Sequence, residues 1–225
     1  MNAQLQARRK VRNGGQESRK AILQAAITEF AREGVAGART DAIARAAKVN
    51  KALLYYYFED KEALYAAVLD QVFGGLISAV MQVLNQDLTP RKKILAYVAT
   101  HFDYIATHPK YPRLVQAEMM RVNREQSSQL ERMAQQYFRP LFTKLAEVLN
   151  AGIRAGEFRA LDPLQFIPSM IAVIVFYFTS VPVMRAVTGV DPLTPERLAA
   201  RKAAILDFIS TALFEADFIP QGAIR

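Results

Sequence analysis

Residues 40–61, TDAIARAAKVNKALLYYYFEDK, decide how this chain folds. Two short helical patterns, over about 41–47 and 51–57, are separated by the polar turn Lys48-Val49-Asn50. The second pattern carries three consecutive tyrosines and is flanked by lysines. Two short helices joined by such a turn are typical of a helix-turn-helix, in which the second helix enters the major groove of DNA.

Helical spacing divides the side chains of this segment between an inward and an outward face. The inward face would hold the helices together through Ile43, Ala47, Val49, Leu54 and Phe58. The outward face is rich in groups that donate hydrogen bonds to phosphates and base edges. We therefore predict DNA contacts from Arg39, Thr40, Asn50, Lys51, Ala52, Leu53, Tyr55, Tyr56 and Lys61.

The start of the second helix is expected to read bases. Lys51 can donate to guanine O6 and N7, whereas Ala52 and Leu53 can touch thymine methyl groups. The three tyrosines cannot share one face, because neighbouring residues on a helix lie ~100° apart. We expect Tyr55 or Tyr56 to contact DNA and at least one tyrosine of the three to be partly buried.

This segment resembles the DNA-binding signature of the TetR (tetracycline-repressor) family of bacterial transcription regulators. The resemblance runs from about residue 19 to residue 69 and rests on the pair Tyr55-Tyr56, followed by an aromatic-x-x-Lys ending at Phe58 and Lys61. It implies that the tyrosine pair and Lys61 contact phosphates. It also implies that Thr40 meets the DNA backbone at the start of the second helix.

Three positions depart from the family's usual pattern. Ala52 stands where Gly is frequent, Asn50 where Ser is common and Tyr57 where His is common. The departures leave the fold expectation unchanged and bear on which bases are preferred.

The positive charge of the chain is concentrated beside this segment. The formal net charge is +8, and residues 1–61 carry 12 Lys and Arg against 6 Asp and Glu, whereas residues 62–225 carry 17 against 15. A localised basic surface suits a polyanionic partner such as double-stranded DNA. A solvated basic surface gives the same count, so charge alone leaves both interpretations open.

The first sixteen residues are basic but contain no apolar run of the kind found in a secretory signal. We therefore expect a cytoplasmic protein. Residues 1–16 are predicted to form a flexible basic arm that reaches phosphates or the minor groove, with plain disorder as the alternative.

Composition excludes several kinds of chemistry. The chain has no Cys and only two His, which excludes disulfides, thiolate metal sites and Cys catalysis. No Ser-His-Asp, phosphate-loop or His-Glu-x-x-His pattern is visible, so we expect no enzyme activity, no cofactor and no metal. His101 and His108 with Glu118 would be the one metal arrangement to consider, but helical metal ligands prefer closer spacing.

Helical patterns continue to the C-terminus and no strand pattern appears, so we predict an all-α fold. The organisation expected is an arm over 1–16, a three-helix DNA-binding domain over 17–61 and a helical ligand-binding and dimerisation domain over 62–225. The predicted helices begin at residue 17 or 18, with Gly34, Thr40 and Asp60 as stop and cap signals. Their expected ranges are 17–32, 41–47, 51–57, 61–84, 91–107, 112–122, 124–155 with a kink or split at Pro140, 163–187, and 195–215 capped by Thr194.

The segment Phe166–Met184 carries no charged residue over 19 positions, which approaches the length of a membrane span. It is interrupted by prolines and hydroxyl residues and stands alone; these residues are Pro168, Ser169, Thr179, Ser180 and Pro182. We favour a buried helix of an all-α protein, with membrane attachment as the alternative.

The resemblance further implies that the C-terminal region holds a ligand cavity and a dimer interface. Candidate cavity-wall residues are Phe102, Ile105, Met119, Tyr137, Phe138, Phe142, Phe166, Met170 and Tyr177. Candidate dimer-interface residues, on apolar stripes of the last two helices, are Ile174, Phe178, Val181, Ile205, Phe208, Ile209 and Leu213. An intramolecular core is the alternative for both sets, and periodicity does not separate them.

The sequence therefore predicts a homodimeric one-component transcription regulator, a repressor in our interpretation. It would bind a palindromic operator and be released by a small-molecule effector, expected from the apolar and aromatic C-terminal region to be hydrophobic or aromatic. The alternative is an architectural DNA-binding protein without a ligand, with little sequence preference and a steep salt dependence.

Overall fold

The structure is a computed structural model that describes the backbone of residues 2–122 and 128–215 and the side chains of 14–121 and 131–215. The described residues form eleven α-helices and one π-helical turn. Within those ranges there is no strand, only an isolated bridge between Phe158 and Phe214. The predicted all-α class is confirmed. The helices are α1 (Asn2–Gly37), α2 (Thr40–Ala46), α3 (Lys51–Tyr57), α4 (Lys61–Leu84), α5 (Pro90–Thr107), α6 (Tyr111–Val122), α7 (Ser128–Met133), α8 (Arg139–Arg154), α9 (Pro163–Thr179), α10 (Val181–Thr188) and α11 (Pro195–Leu213), with the π-helical turn Ala134–Phe138 before α8.

Side-chain caps fix several helix starts. Asp60 Oδ1 accepts from the Ala63 amide at 2.6 Å at the start of α4, and Thr194 Oγ1 accepts from the Arg197 amide at 3.4 Å in α11. Both predicted caps are confirmed. The predicted cap at Thr40 is wrong. Thr40 is the first residue of α2, Arg39 occupies the N-cap position without a side-chain cap bond, and the Thr40 hydroxyl contacts Tyr55 of α3 instead.

The first helix begins earlier than predicted. Residues 2–16 of the segment expected to form a flexible arm are helical in the structure, since α1 begins at Asn2 rather than at residue 17 or 18. Its Ala, Gln, Leu, Arg and Lys residues are good helix formers, and no Pro interrupts them. The predicted stop at Gly34 appears as a break inside α1, where Gly34 adopts φ 66° and ψ 179°.

Two prolines divide the C-terminal helices. Pro140 opens α8 directly after the π-helical turn, in agreement with the predicted split. The single helix predicted over 163–187 is instead two, α9 and α10, which bend by 62° about Ser180. The cause lies in Pro182, which fits the first turn of a new helix and not the interior of a continuing one.

The chain forms two compact units. The first comprises Met1–Phe73 with Arg113–Gln126, and the second comprises Gly74–Pro112 with Ser127–Arg225. The core of the first unit joins α1, α2 and α3, with Ile22, Phe30, Ile43 and Leu54 fully buried. The core of the second unit joins α5 to α8, α9 and α11, with Ile94, Val98, Phe102, Leu145, Leu149 and Ile174 buried.

Membrane-span criteria of length and composition are met by one helix among the described residues, α4, and by α9 and α10 only as a bent pair. Several apolar side chains of α4 are buried within the chain itself, including Leu64, Val68, Leu69, Val80 and Leu84. Core helices of soluble proteins pass the same test.

A candidate DNA-binding surface

Helix α3 is anchored by two apolar residues, one within it and one directly after it, and most of its remaining side chains are exposed. Leu54 and Phe58 are buried, and the Arg19 guanidinium lies 5.3 Å from the centre of the Phe58 ring. The Asn50 side chain caps the helix by accepting from the Leu53 amide at 2.7 Å. Of the residues predicted to contact DNA, six are exposed, namely Arg39, Asn50, Lys51, Ala52, Tyr55 and Tyr56, and three are half-buried, namely Thr40, Leu53 and Lys61.

The three tyrosines are divided as their angular spacing requires. Tyr56 is 80% exposed, Tyr55 is 40% exposed, and Tyr57 is half-buried. The rings of Tyr56 and Tyr57 meet edge to face at 5.3 Å. The surface of α3 therefore offers two phenolic hydroxyls to a partner.

Two polar contacts join the first turn of α2 to α3. The hydroxyls of Thr40 and Tyr55 lie 3.2 Å apart, and Lys51 Nζ lies 2.8 Å from Asp41 Oδ1. The hydrogen bond between these two side chains lowers the pKa of Asp41 and raises that of Lys51, so both groups are charged at neutral pH. The contacts bring Thr40, Lys51 and Tyr55, all predicted to contact DNA, into one surface.

Two other residues hold the connector between α1 and α2. Glu29 is buried, accepts from the Arg39 amide at 3.4 Å and pairs with Arg32 at 2.7 Å. Lys61 Nζ donates to the carbonyl oxygens of Ala36 and Ala38, each at 3.4 Å. Sequence reasoning missed Glu29 and Asp41. Acidic residues are ordinary on the surface and in the first turn of a helix, so neither residue stands out in the sequence.

The predicted cavity-wall residues differ in burial. Phe102, Ile105, Tyr137, Met170 and Tyr177 are buried, and Phe142 and Phe166 are half-buried. Met119 and Phe138 are 65% and 37% exposed, so they do not fit the wall of an enclosed cavity. An open groove of about 490 Å³ in the second unit shares no residue with this set; it is lined by Met81, Asn85, Gln135, Arg139, Pro140, Thr143, Lys144 and Glu147.

A buried polar pair lies on α5 in the second unit. His101 Nδ1 lies 3.1 Å from the Tyr97 hydroxyl, and both side chains are buried. Burial lowers the pKa of His101 to about 4, so its ring is neutral at pH 7. His101 Nε2 is buried without a hydrogen-bond partner. The other two residues of the metal arrangement make different contacts: His108 Nδ1 lies 2.7 Å from the Tyr104 carbonyl oxygen, and Glu118 accepts a hydrogen bond from Tyr65.

The residues predicted for a dimer interface lie mainly inside the chain. Ile174, Phe178, Val181, Ile205, Ile209 and Leu213 are buried in the single chain, and Phe208 is 58% exposed. The apolar stripes from which the interface was predicted therefore face the core of the same chain. Other exposed apolar residues of α9 and α10 are Leu164, Phe176, Val183 and Val187.

Comparison with known proteins reveals relatives of both regions. Residues 22–68 match the model of bacterial regulatory proteins of the tetR family, and residues 90–209 match that of the tetracyclin repressor-like C-terminal domain. The HTH-type transcriptional regulator RutR of Escherichia coli (strain K12) is 30% identical over 175 residues, which cover 76% of this chain and 78% of RutR.

Two further proteins extend the comparison. The HTH-type transcriptional repressor NicS of Pseudomonas putida is 29% identical over 144 residues, which cover 64% of this chain and 65% of NicS. The ketosteroid transcriptional regulator KstR2 of Mycobacterium tuberculosis shares the fold, with a TM-score of 0.71 at 18% identity over 88% of this chain and 95% of KstR2.

The helix-turn-helix surface and the all-α body define a DNA-binding transcription regulator. The family models and the similarity to RutR identify it further: the chain belongs to the TetR family of bacterial regulators.

Proposed function

We propose that the protein is a homodimeric repressor that binds a palindromic operator in the cytoplasm and is released by a small-molecule effector. The observation that carries the proposal is the surface of α3, where Lys51, Ala52, Tyr55 and Tyr56 are exposed beside Arg39. Cationic and phenolic groups on a helix that two apolar residues anchor suit the major groove and its phosphates.

A dimer follows from how such a helix gains affinity and specificity. One recognition helix reads only a few base pairs, whereas a two-fold dimer offers two helices to half-sites one DNA turn apart. Exposed apolar residues on α9 and α11, Phe176 and Phe208, supply the kind of surface that a second copy would cover.

Release by an effector would act as a population shift. A ligand lowers DNA affinity only if it binds the DNA-incompetent state more tightly than the competent one. Supporting features in the second unit are the aromatic group of Phe102, Tyr177 and Phe178, with ring centres 5.0–6.4 Å apart, and the unpartnered buried nitrogen of His101. Such surroundings suit an aromatic or hydrophobic ligand with a single hydrogen-bonding group.

The proposal is tested by selecting the full-length protein against a pool of random duplexes near physiological salt and sequencing the bound fraction. Enrichment of an inverted repeat is expected, and the genes beside its genomic copies would suggest effectors for titration. Binding without enrichment, with a steep salt dependence, would instead indicate an architectural protein. A bound effector that leaves operator affinity unchanged would refute the induction step.

A further inference from the structure

An acidic side chain lies within the basic surface proposed to meet DNA. Asp41 contacts Lys51 at 2.8 Å, and both side chains are about half exposed, at 52% and 50%. The cations Arg39 and Arg45 are close enough to act on the Asp41 carboxylate as well. A carboxylate here repels phosphate, so its presence needs a reason other than DNA affinity.

The contact restricts what Lys51 can do. A lysine ammonium has three N–H donors on a flexible stem, and a free one binds any phosphate within reach. Asp41 occupies one donor of Lys51, and Nζ also lies 6.0 Å from the centre of the Tyr55 ring. The two remaining donors stay available to a partner, close to both α2 and α3.

We propose that Asp41 is a specificity-determining residue, which withholds Lys51 from phosphates and directs it towards a base edge. The inference rests on the proposed function, because it presupposes that α3 enters the major groove. Thr40 and Tyr55, 3.2 Å apart, link the same two helices and support the same orientation.

The expected consequence differs between random and operator DNA. On random DNA, removing the carboxylate frees Lys51 to neutralise one more phosphate and release one more counterion. In the operator complex Lys51 is committed to a base, so the same change gains no phosphate contact. Asp41 therefore lowers non-specific affinity more than specific affinity.

The test compares Asp41→Asn with Glu33→Gln in the full-length protein. Glu33 is exposed, belongs to the same unit and pairs with Arg32 at 2.6 Å, so its variant makes the same charge change away from α3. Affinities are measured for a random-sequence duplex and for the selected inverted repeat over a salt series. We expect Asp41→Asn to raise random-duplex affinity about 5- to 10-fold at about 0.1 M salt and to steepen the salt slope by about 0.9. The operator-to-random ratio should fall by most of that factor, and Glu33→Gln should leave the ratio unchanged.

A second pair of variants isolates the role of Lys51. In a Lys51→Gln background, Asp41→Asn should no longer change the operator-to-random ratio. An undiminished effect there would overturn the proposal, since Asp41 would then act on DNA by itself. Equal effects of Asp41→Asn and Glu33→Gln would also overturn it. If the wild-type protein bound no duplex at all, the proposed function would fail and this role with it.

Discussion

The hydroxyl of Tyr65 donates a hydrogen bond to Oε2 of Glu118 at 2.8 Å, and both side chains are buried. The bond joins α4 to α6 within the first unit. Beside it, Arg121 pairs with Glu62 at 2.8 Å and lies over the Tyr65 ring. Glu118 Oε1 is buried without a partner, so the Tyr65 hydroxyl supplies the hydrogen bond that the carboxylate has.

We expect Tyr65→Phe to destabilise the protein by about 1–3 kcal/mol, the penalty for leaving a buried polar group without its hydrogen bond. The Phe ring would keep the edge-to-face contact with Phe30 at 5.0 Å, so the change isolates the hydroxyl. Urea unfolding measures the loss. Tyr56→Phe, at an 80% exposed site, is the control and should unfold like the wild type. Equal midpoints for both variants would show that the Tyr65–Glu118 bond adds no stability.

Acid should lower the free energy of unfolding because His101 becomes protonated. Burial lowers the pKa of His101 to about 4, whereas a histidine in the unfolded chain has a pKa of about 6.5. The unfolded chain therefore takes up this proton first as the pH falls. The stabilisation is complete above about pH 6.5 and is lost between there and pH 4, by up to about 3 kcal/mol.

Unfolding free energies across that pH range test the assignment. His101→Phe should flatten the decline relative to the wild type, because it removes the titrating group. His108→Gln, at the exposed histidine, is the control variant. If His101→Phe declined as steeply as the wild type, the pH dependence would belong to other groups.

The exposed hydroxyl of Tyr56 is expected to bind phosphate without reading sequence. Tyr56→Phe should weaken operator and random-duplex binding alike, by about 2- to 10-fold, since a hydrogen bond contributes about 0.5–1.5 kcal/mol. Fluorescence anisotropy with both duplexes measures this. Tyr57→Phe, at the half-buried neighbour, is the matched control and should bind as the wild type does. A change in the operator-to-random ratio for Tyr56→Phe would contradict a phosphate contact.

Much of the architecture was predictable because local signals fix it. Asp60 and Thr194 cap helices as their side chains suggest, and Pro140 begins a new helix. Missed features depend on contacts distant in sequence. The Thr40 hydroxyl faces Tyr55 instead of capping α2, because α3 folds back against it. Similarly, the partnership of Asp41 with Lys51 exists only once the turn has brought the two helices together.

The dimer residues illustrate a second limit of sequence reasoning. Periodicity finds the apolar face of α9 and α11, but it does not tell whether that face meets the same chain or another. Ile174, Ile205 and Ile209 meet their own chain. Phe176 and Phe208 remain outside, and only their exposure in the folded chain draws attention to them.

Phe208 should matter for association and little for folding. Because its side chain is 58% exposed in the single chain, Phe208→Glu should leave the free energy of unfolding of the isolated subunit nearly unchanged. If α11 forms the proposed interface, the variant places a charge in an apolar contact. Dimerisation should then weaken by about 2–4 kcal/mol, roughly 30- to 1000-fold. Sedimentation equilibrium would measure the change directly. Met120→Glu alters an equally apolar residue, 60% exposed on α6, and should remain dimeric. If the Phe208→Glu protein stayed dimeric and bound the inverted repeat normally, the dimer interface would not include this part of α11.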